Sequence, residues 1–210
     1  MGYDEESLRG KVVCKTALQK ELGLEVNENI PLFVMVSRLT YQKGVDLVSS
    51  VVPALAGKVQ FAFLGKGDQT VEQTLKSLAS SNPRYIAFCG AVDENLAHKV
   101  YAAGDFYLMP SRFEPCGLSQ MIAMRYGTLP VVTRTGGLAD TVKGFTDNAS
   151  LNTATGFFID NFDPNSLIYT INRALEIYSN KTAFAKMREK SWHSVTIPDY
   201  VKKAVLESSC

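Results

Sequence analysis

Apolar and polar positions along the chain follow two patterns, continuous apolar runs and apolar residues spaced three or four apart. The runs LFVMVSRL after Pro31 and QFAFLG from Gln60 have the unbroken apolar character of strands that are buried on both faces. Between them, valines and leucines recur at helical spacing from Val45 to Leu55. This region is therefore predicted to be a strand, a helix and a second strand.

The same alternation continues to about residue 192. Four further strands are predicted at YIAFCG, DFYLMP, LPVV and GFFID, with helices between them. Other helices are expected at residues 11–22, around Leu167 to Tyr178, and from Lys181 to about Trp192. Alternating strands and helices predict a Rossmann-like α/β fold with a doubly wound, mostly parallel sheet, for which 3-2-1-4-5-6 is the common strand order.

No internal repeat or low-complexity linker divides the sequence, so residues 1–210 are predicted to form a single domain. The tail, about residues 193–210, is expected to be either a short helix or disordered. The final helices include Trp192, which is expected to be a packing anchor.

Charged side chains follow the first and fourth predicted strands, which the expected order makes neighbours at the switch point of the sheet. Arg38 and Lys43 follow the first strand, and Glu114 follows the fourth. Open α/β sheets bind ligands in the crevice at such a switch point. These loops are therefore the candidate site.

Arg38 and Lys43 could bind a nucleotide pyrophosphate, with arginine bidentate and lysine as a point charge. The alternative is a pair of solvated loop charges. Glu114 is predicted to orient ligand hydroxyls, and its alternative is a carboxylate that caps the following helix.

Backbone groups complete the candidate site. The amides of Cys116, Gly117, Leu118 and Ser119 are expected to open a helix and to be free to meet ligand oxygens. Thr135-Gly136-Gly137 is predicted as a turn outside strand and helix, made for close approach to a ligand or simply for tight bending. Gly65-Lys66-Gly67 lacks the third glycine of a dinucleotide fingerprint, because Thr70 occupies that position.

Composition excludes several other classes of function. A formal net charge of +1 predicts no broad attraction to nucleic acid or to membranes. No apolar run approaches the ~20 residues of a membrane span, and the first residues lack the apolar core of a secretory signal. The four cysteines have neither CxxC spacing nor a histidine at zinc spacing, so no metal site is predicted, and a reducing compartment is expected.

Three motifs in order resemble those of the starch synthases and bacterial glycogen synthases. They are SRLTYQKGVDL at 37–47, SRFEPCGLSQMIAMRYGTLPVV at 111–132, and RTGGLADTV at 134–142. The resemblance extends from about Gly10 to Asn180.

This resemblance implies the C-terminal, Rossmann-like half of a two-domain GT-B architecture. Such enzymes transfer glucose from ADP-glucose to the non-reducing end of an α-1,4-glucan, with retention of configuration, and release ADP. The family needs no metal or other cofactor. It works in the bacterial cytoplasm or the plastid stroma.

By motif match, Arg38 and Lys43 would hold the donor phosphates and stabilise charge on the departing nucleotide. Glu114, with amides around Cys116 to Leu118, would position the donor glucose. Ser119, where the family often has threonine, and the Thr135-Gly136 turn would complete the phosphate contacts.

Several features depart from the wider family pattern. Ile122 stands where many retaining transferases have a second glutamate. Starch and glycogen synthases commonly lack that glutamate, so Ile122 supports the resemblance to them. Val92 stands where some bacterial members have an aromatic residue that stacks on adenine. The family's acceptor groove and catalytic histidine come from an N-terminal domain that is absent here, so this chain is expected to bind donor and catalyse little alone.

Two other functions stay open from the sequence. One is another retaining GT-B enzyme, such as a sucrose or trehalose-phosphate synthase. The other is a non-catalytic module that binds a nucleotide or a glucan.

Overall fold

A computed structural model describes residues 10–91 and 93–195. Six strands are present in this part of the chain: β1 (Leu32–Val36), β2 (Gln60–Leu64), β3 (Ile86–Cys89), β4 (Phe106–Met109), β5 (Leu129–Thr133) and β6 (Phe157–Ile159). All neighbouring pairs are parallel, and the order is β3-β2-β1-β4-β5-β6. The predicted sheet order is confirmed.

Helices precede the first strand, connect successive strands and follow the last. They are α1 (Gly10–Glu21), α2 (Val45–Leu55), α3 (Gln69–Ser81), α4 (Glu94–Ala103), α5 (Ser119–Arg125), α6 (Gly136–Thr141), α7 (Pro164–Ser179) and α8 (Lys181–His193). Short 3₁₀ turns lie at Tyr41–Lys43 and Ser150–Asn152. Aspartates begin several helices; Asp68, for example, accepts hydrogen bonds from the amides of Thr70 and Val71.

The two faces of the sheet carry different cores, because successive side chains of a strand point to opposite faces. Phe33 and Phe106 stack at 4.7 Å between ring centroids, on the face covered by α2, α3 and α7. Val34 and Tyr107 lie on the other face, which α1, α4 and α5 cover. Helices on both faces explain why the strands read as unbroken apolar runs.

One prediction about local structure was wrong. Gly136, Gly137 and Leu138 were expected to lie outside any helix, but they form the first half of α6. The low helix propensity of glycine is overridden by packing, because Gly137 lies against the Cys116 carbonyl where a side chain has no room. The first predicted strand is also shorter than expected and ends at Val36.

Other sequence predictions have mixed outcomes. Trp192 is 4% exposed and packs in the core, which confirms it as a packing anchor. Val92 and the tail beyond residue 195 lie outside the described residues, so the predictions made for them stay predictions.

The junction between β1 and β4 is short. These strands pair in register only at Phe33–Phe106 and Val34–Tyr107, whereas β1 and β2 pair along five residues. Beyond the ladder, the Tyr107 hydroxyl donates a hydrogen bond of 2.7 Å to the Val36 carbonyl. The loops that follow β1 and β4 therefore leave the sheet side by side.

Across residues 10–91 and 93–195, none of the helices combines the length and the apolar character needed to cross a membrane. The same residues contain no group of three or more histidine, cysteine, aspartate or glutamate side chains placed to hold a metal ion.

Candidate functional site

Two loops at the carboxyl edge of the sheet meet over the β1–β4 junction. We refer to residues 37–44 as the β1 loop and to residues 110–118 as the β4 loop. The Arg112 amide donates to the Gln42 carbonyl at 2.8 Å, and the Gln42 side chain donates to the Phe113 carbonyl at 3.0 Å. These bonds hold the loops in a fixed relation to one another.

The close approach of the two loops depends on a glycine. Gly44 has φ +69° and ends the 3₁₀ turn, and a Cβ at this position would lie 2.0 Å from the Pro110 carbonyl oxygen. Only a residue without a side chain allows both the left-handed backbone and this contact.

Lys43 and Glu114 come together across the loops. The Lys43 ammonium contacts Glu114 Oε2, and the Ser111 hydroxyl donates to the same oxygen at 3.2 Å. Their side chains are 15% and 10% exposed. Glu114 Oε1 has no hydrogen-bond partner among the described residues. Glu114 accepts no hydrogen bond from the first amides of α5 among the described residues, so its direct contacts are with the β1 and β4 loops.

The N-terminus of α5 has the predicted free amides. Within the described residues, no hydrogen bond is donated by the backbone N–H groups of Cys116, Gly117, Leu118 or Ser119. Gly117 has φ +71°, which bends the chain into the helix. These amides are available to an anionic or hydroxyl ligand.

The Ser119 side chain has a different environment from the one expected of a phosphate ligand. Its hydroxyl lies near those of Tyr101 and Tyr107, two buried phenols. Burial raises the pKa of both phenols, so both stay protonated at neutral pH. The contact between Ser119 and a phosphate stays a prediction. The backbone amide of Ser119 suits that contact better than its hydroxyl does.

The Thr135-Gly136 segment lies directly against the β4 loop. Gly136 has φ +43°, and a Cβ there would lie 2.0 Å from the Glu114 carbonyl oxygen. The Gly137 amide donates to the same oxygen at 3.1 Å. Tight packing alone accounts for these glycines, and it brings Thr135 and Gly136 next to the segment that carries Glu114.

Arg38 lies on the β2 side of the β1 loop, and within residues 10–91 and 93–195 its side chain forms no ion pair or hydrogen bond with Glu114. Its exposed side chain lines a cleft of about 570 Å³ between the ends of β1 and β2 and the start of α4. Lys66, Asp93 and Glu94 also line this cleft. These three residues were not predicted from the sequence as part of the site. The one indication was that the Gly65-Lys66-Gly67 turn follows β2, the strand next to β1.

The Lys66 turn is bound to the β1 loop. The Leu39 amide donates to the Lys66 carbonyl, and the Asp68 amide donates to the Leu39 carbonyl, both at 2.8 Å. The glycine-flanked turn thus forms one wall of the cleft that Arg38 enters.

His98 does not belong to this site. It is half-buried in α4, and its Nδ1 lies 2.7 Å from the Tyr126 hydroxyl.

Comparisons with known proteins identify the family. A family model described as glycosyl transferases group 1 matches residues 30–176. A glycogen synthase from Elusimicrobium minutum is 49% identical over 188 residues, which cover 88% of this chain and 39% of that protein. The chain thus spans well under half of the length of the glycogen synthases that it matches.

Solved structures show the same fold. The catalytic domain of starch synthase IV from Arabidopsis thaliana, bound to ADP and acarbose, aligns with a TM-score of 0.83 at 30% identity. The alignment covers 98% of this chain and 44% of that one. The C-terminal domain of a group 1 glycosyltransferase, LpcC from Francisella tularensis, aligns with a TM-score of 0.65 at 16% identity, covering 92% and 96% of the two chains.

These matches confirm the Rossmann-like fold of a GT-B half and the resemblance to glycogen and starch synthases. The chain belongs to the glycosyltransferase group 1 family.

Proposed function

We propose that this chain is the donor-binding domain of a glycogen or starch synthase and that its donor is ADP-glucose. In the whole enzyme, glucose is transferred to the non-reducing end of an α-1,4-glucan with retention of configuration. ADP leaves as the product, and the reaction uses no separate cofactor.

The observation that carries this proposal is the Lys43–Glu114 contact at the β1–β4 switch point. It joins a cation suited to phosphate with a carboxylate suited to sugar hydroxyls, at the edge where parallel sheets bind ligands. A nucleotide sugar is the class of ligand that offers both groups on adjacent atoms.

Each side of the crevice supplies part of the chemistry. Lys43 and Arg38 provide the positive charge that stabilises the departing diphosphate. Glu114 Oε1 accepts hydrogen bonds from the hydroxyls of the donor glucose, and the amides of Gly117 and Leu118 donate to its oxygens. Glu114 positions the donor glucose, and the acceptor glucan binds to another part of the enzyme.

Two observations support the choice of ADP-glucose and an α-glucan. The starch synthase IV that this chain resembles is described as bound to ADP and acarbose. The rim of the crevice exposes Tyr41, Phe113 and Leu118, each more than half exposed, as apolar surface for the remainder of the enzyme or for the acceptor. By the same family resemblance, we place the enzyme in the bacterial cytoplasm or the plastid stroma.

Calorimetry of this chain with ADP, UDP and maltoheptaose tests the proposal. We expect ADP to bind, UDP to bind at least tenfold more weakly, a difference of about 1.4 kcal/mol, and maltoheptaose not to bind. Preference for UDP would instead indicate another retaining transferase, and glucan binding alone would indicate a non-catalytic module.

The chain alone is expected not to elongate a glucan from ADP-glucose, because the acceptor groove lies outside it in this proposal. Measurable incorporation of labelled glucose by the purified chain would overturn that expectation while leaving the ADP site in place.

A further inference from the structure

Arg112 occupies an unusual place between two aromatic rings. Its guanidinium carbon lies 3.4 Å from the centroid of the Tyr41 ring and 4.0 Å from that of Phe162. Such stacking uses the planar guanidinium and is not reproduced by an ammonium.

The nitrogen atoms of Arg112 are also engaged. Nη1 donates to Asp46 Oδ1 at 2.8 Å and to the Tyr41 carbonyl at 2.5 Å, and Nη2 donates to Asp46 Oδ2 at 2.7 Å. The hydrogen bonds to Arg112 lower the pKa of Asp46, so the carboxylate stays ionised and the fork stays bidentate.

These contacts hold Lys43 from both sides. Tyr41 precedes Lys43 in the 3₁₀ turn, and Asp46 follows it in the first turn of α2. Arg112 itself lies two residues before Glu114. One side chain of the β4 loop thus fixes the segment that carries Lys43 against the segment that carries Glu114.

We infer that Arg112 is a positioning residue, which sets the Lys43 ammonium beside Glu114 in the orientation that the donor phosphate meets. This inference rests on the proposed function and adds a residue to the site. Its nitrogens are directed at Asp46 and Tyr41, so Arg112 acts through Lys43.

A double-mutant cycle on this chain tests the inference, with ADP affinity measured by calorimetry. Arg112→Lys keeps the charge and loses the fork and the stacking. We expect it to weaken ADP binding roughly fivefold, as coupled residues in one network do, and less than twofold when Lys43→Ala is already present. A purely structural role would produce the same loss in both backgrounds, and that result would overturn the inference.

The chain offers a matched control. Arg84 pairs with Glu25 at 2.5 Å near the opposite edge of the sheet, and its side chain is 69% exposed. Arg84→Lys should leave ADP affinity unchanged. Equal losses for Arg84→Lys and Arg112→Lys would also overturn the inference.

A second variant keeps the test decisive if Arg112→Lys does not fold. Asp46→Asn retains Arg112 and weakens its fork, so it should weaken ADP binding in the same Lys43-dependent way. Loss of the same size with and without Lys43 overturns the inference. Absence of ADP binding by the wild type overturns the proposed function together with the inference, whereas ADP binding without coupling overturns the inference alone.

Discussion

Two lysine–carboxylate pairs lie at opposite ends of β4, and they differ in what surrounds them. At the amino end, Lys15 from α1 pairs with Asp105 at 2.6 Å. At the carboxyl end, Lys43 contacts Glu114. The first pair is nearly inaccessible, with side chains 3% and 9% exposed, and the second is only slightly more open.

The difference lies in hydrogen-bonding capacity. The Lys15 ammonium has three N–H donors, and each can bond to one of three acceptors: Asp105, the Glu28 carbonyl and the Tyr178 hydroxyl. Lys43 has one partner among the described residues, so donors remain for a ligand. Burial lowers the pKa of Lys15, while Asp105 acts in the opposite direction.

Unused hydrogen-bonding capacity distinguishes the pair at the candidate site from the structural pair. Burial and distance alone would treat both pairs alike. The saturated pair leaves no room for a ligand, whereas the unsaturated pair faces the crevice at the switch point.

Removal of the saturated lysine should have the largest effect. Lys15→Met leaves Asp105 as an uncompensated buried charge, so the free energy of unfolding should fall by about 3–5 kcal/mol in urea denaturation. ADP affinity of the folded variant should stay unchanged.

The control for this variant is Lys99→Met, which breaks an ion pair with Glu21 at 2.9 Å whose side chains are 33% and 45% exposed. It should cost less than about 1 kcal/mol. Equal costs for the two lysines would contradict the structural assignment of Lys15.

Removal of the unsaturated lysine should affect binding more than folding. Lys43→Ala should weaken ADP binding by about 1–3 kcal/mol, the usual range for hydrogen bonds to charged groups. Calorimetry measures this loss. Lys58→Ala, which removes an exposed lysine far from the crevice, is the control and should leave ADP affinity intact. Unchanged ADP affinity in Lys43→Ala would remove Lys43 from the site.

The carboxylate partner should give the smallest effect, and in the opposite direction. Glu114→Gln removes a charge that competes with the diphosphate for Lys43, so ADP should bind more tightly by about 0.2–1 kcal/mol. Glu176→Gln makes the same charge change on the exposed surface of α7 and serves as the control. Weaker ADP binding in Glu114→Gln would mean that the carboxylate supports the nucleotide itself.

Much of this architecture could be predicted from the sequence, because local patterns determine it. The apolar run at Leu32–Val36 predicted a strand buried on both faces, and strand order placed Lys43 opposite Glu114. The three motifs are the basis of the proposed donor, which the spacing of residues alone does not indicate.

What the sequence did not predict depends on contacts between distant residues. Arg112 interacts with Tyr41 and Asp46, and no local pattern relates residues about seventy positions apart in the segments that follow neighbouring strands. Lys66 was not predicted as a site residue, because its glycine-flanked turn does not match a dinucleotide-binding motif. The structure places Lys66 in the cleft that Arg38 lines. The short α6 was missed because propensity rules against two glycines, whereas packing of Gly137 allows them.

The short pairing of β1 with β4 has a consequence for local unfolding. β1 to β3 pair among themselves, as do β4 to β6, so each set of three strands is built from pairings that are near in sequence. Only two register positions join the sets within the ladder, so we expect local opening of the sheet to begin at this junction. A nucleotide that bridges the β1 and β4 loops binds the closed form alone, so it also slows hydrogen exchange along the junction.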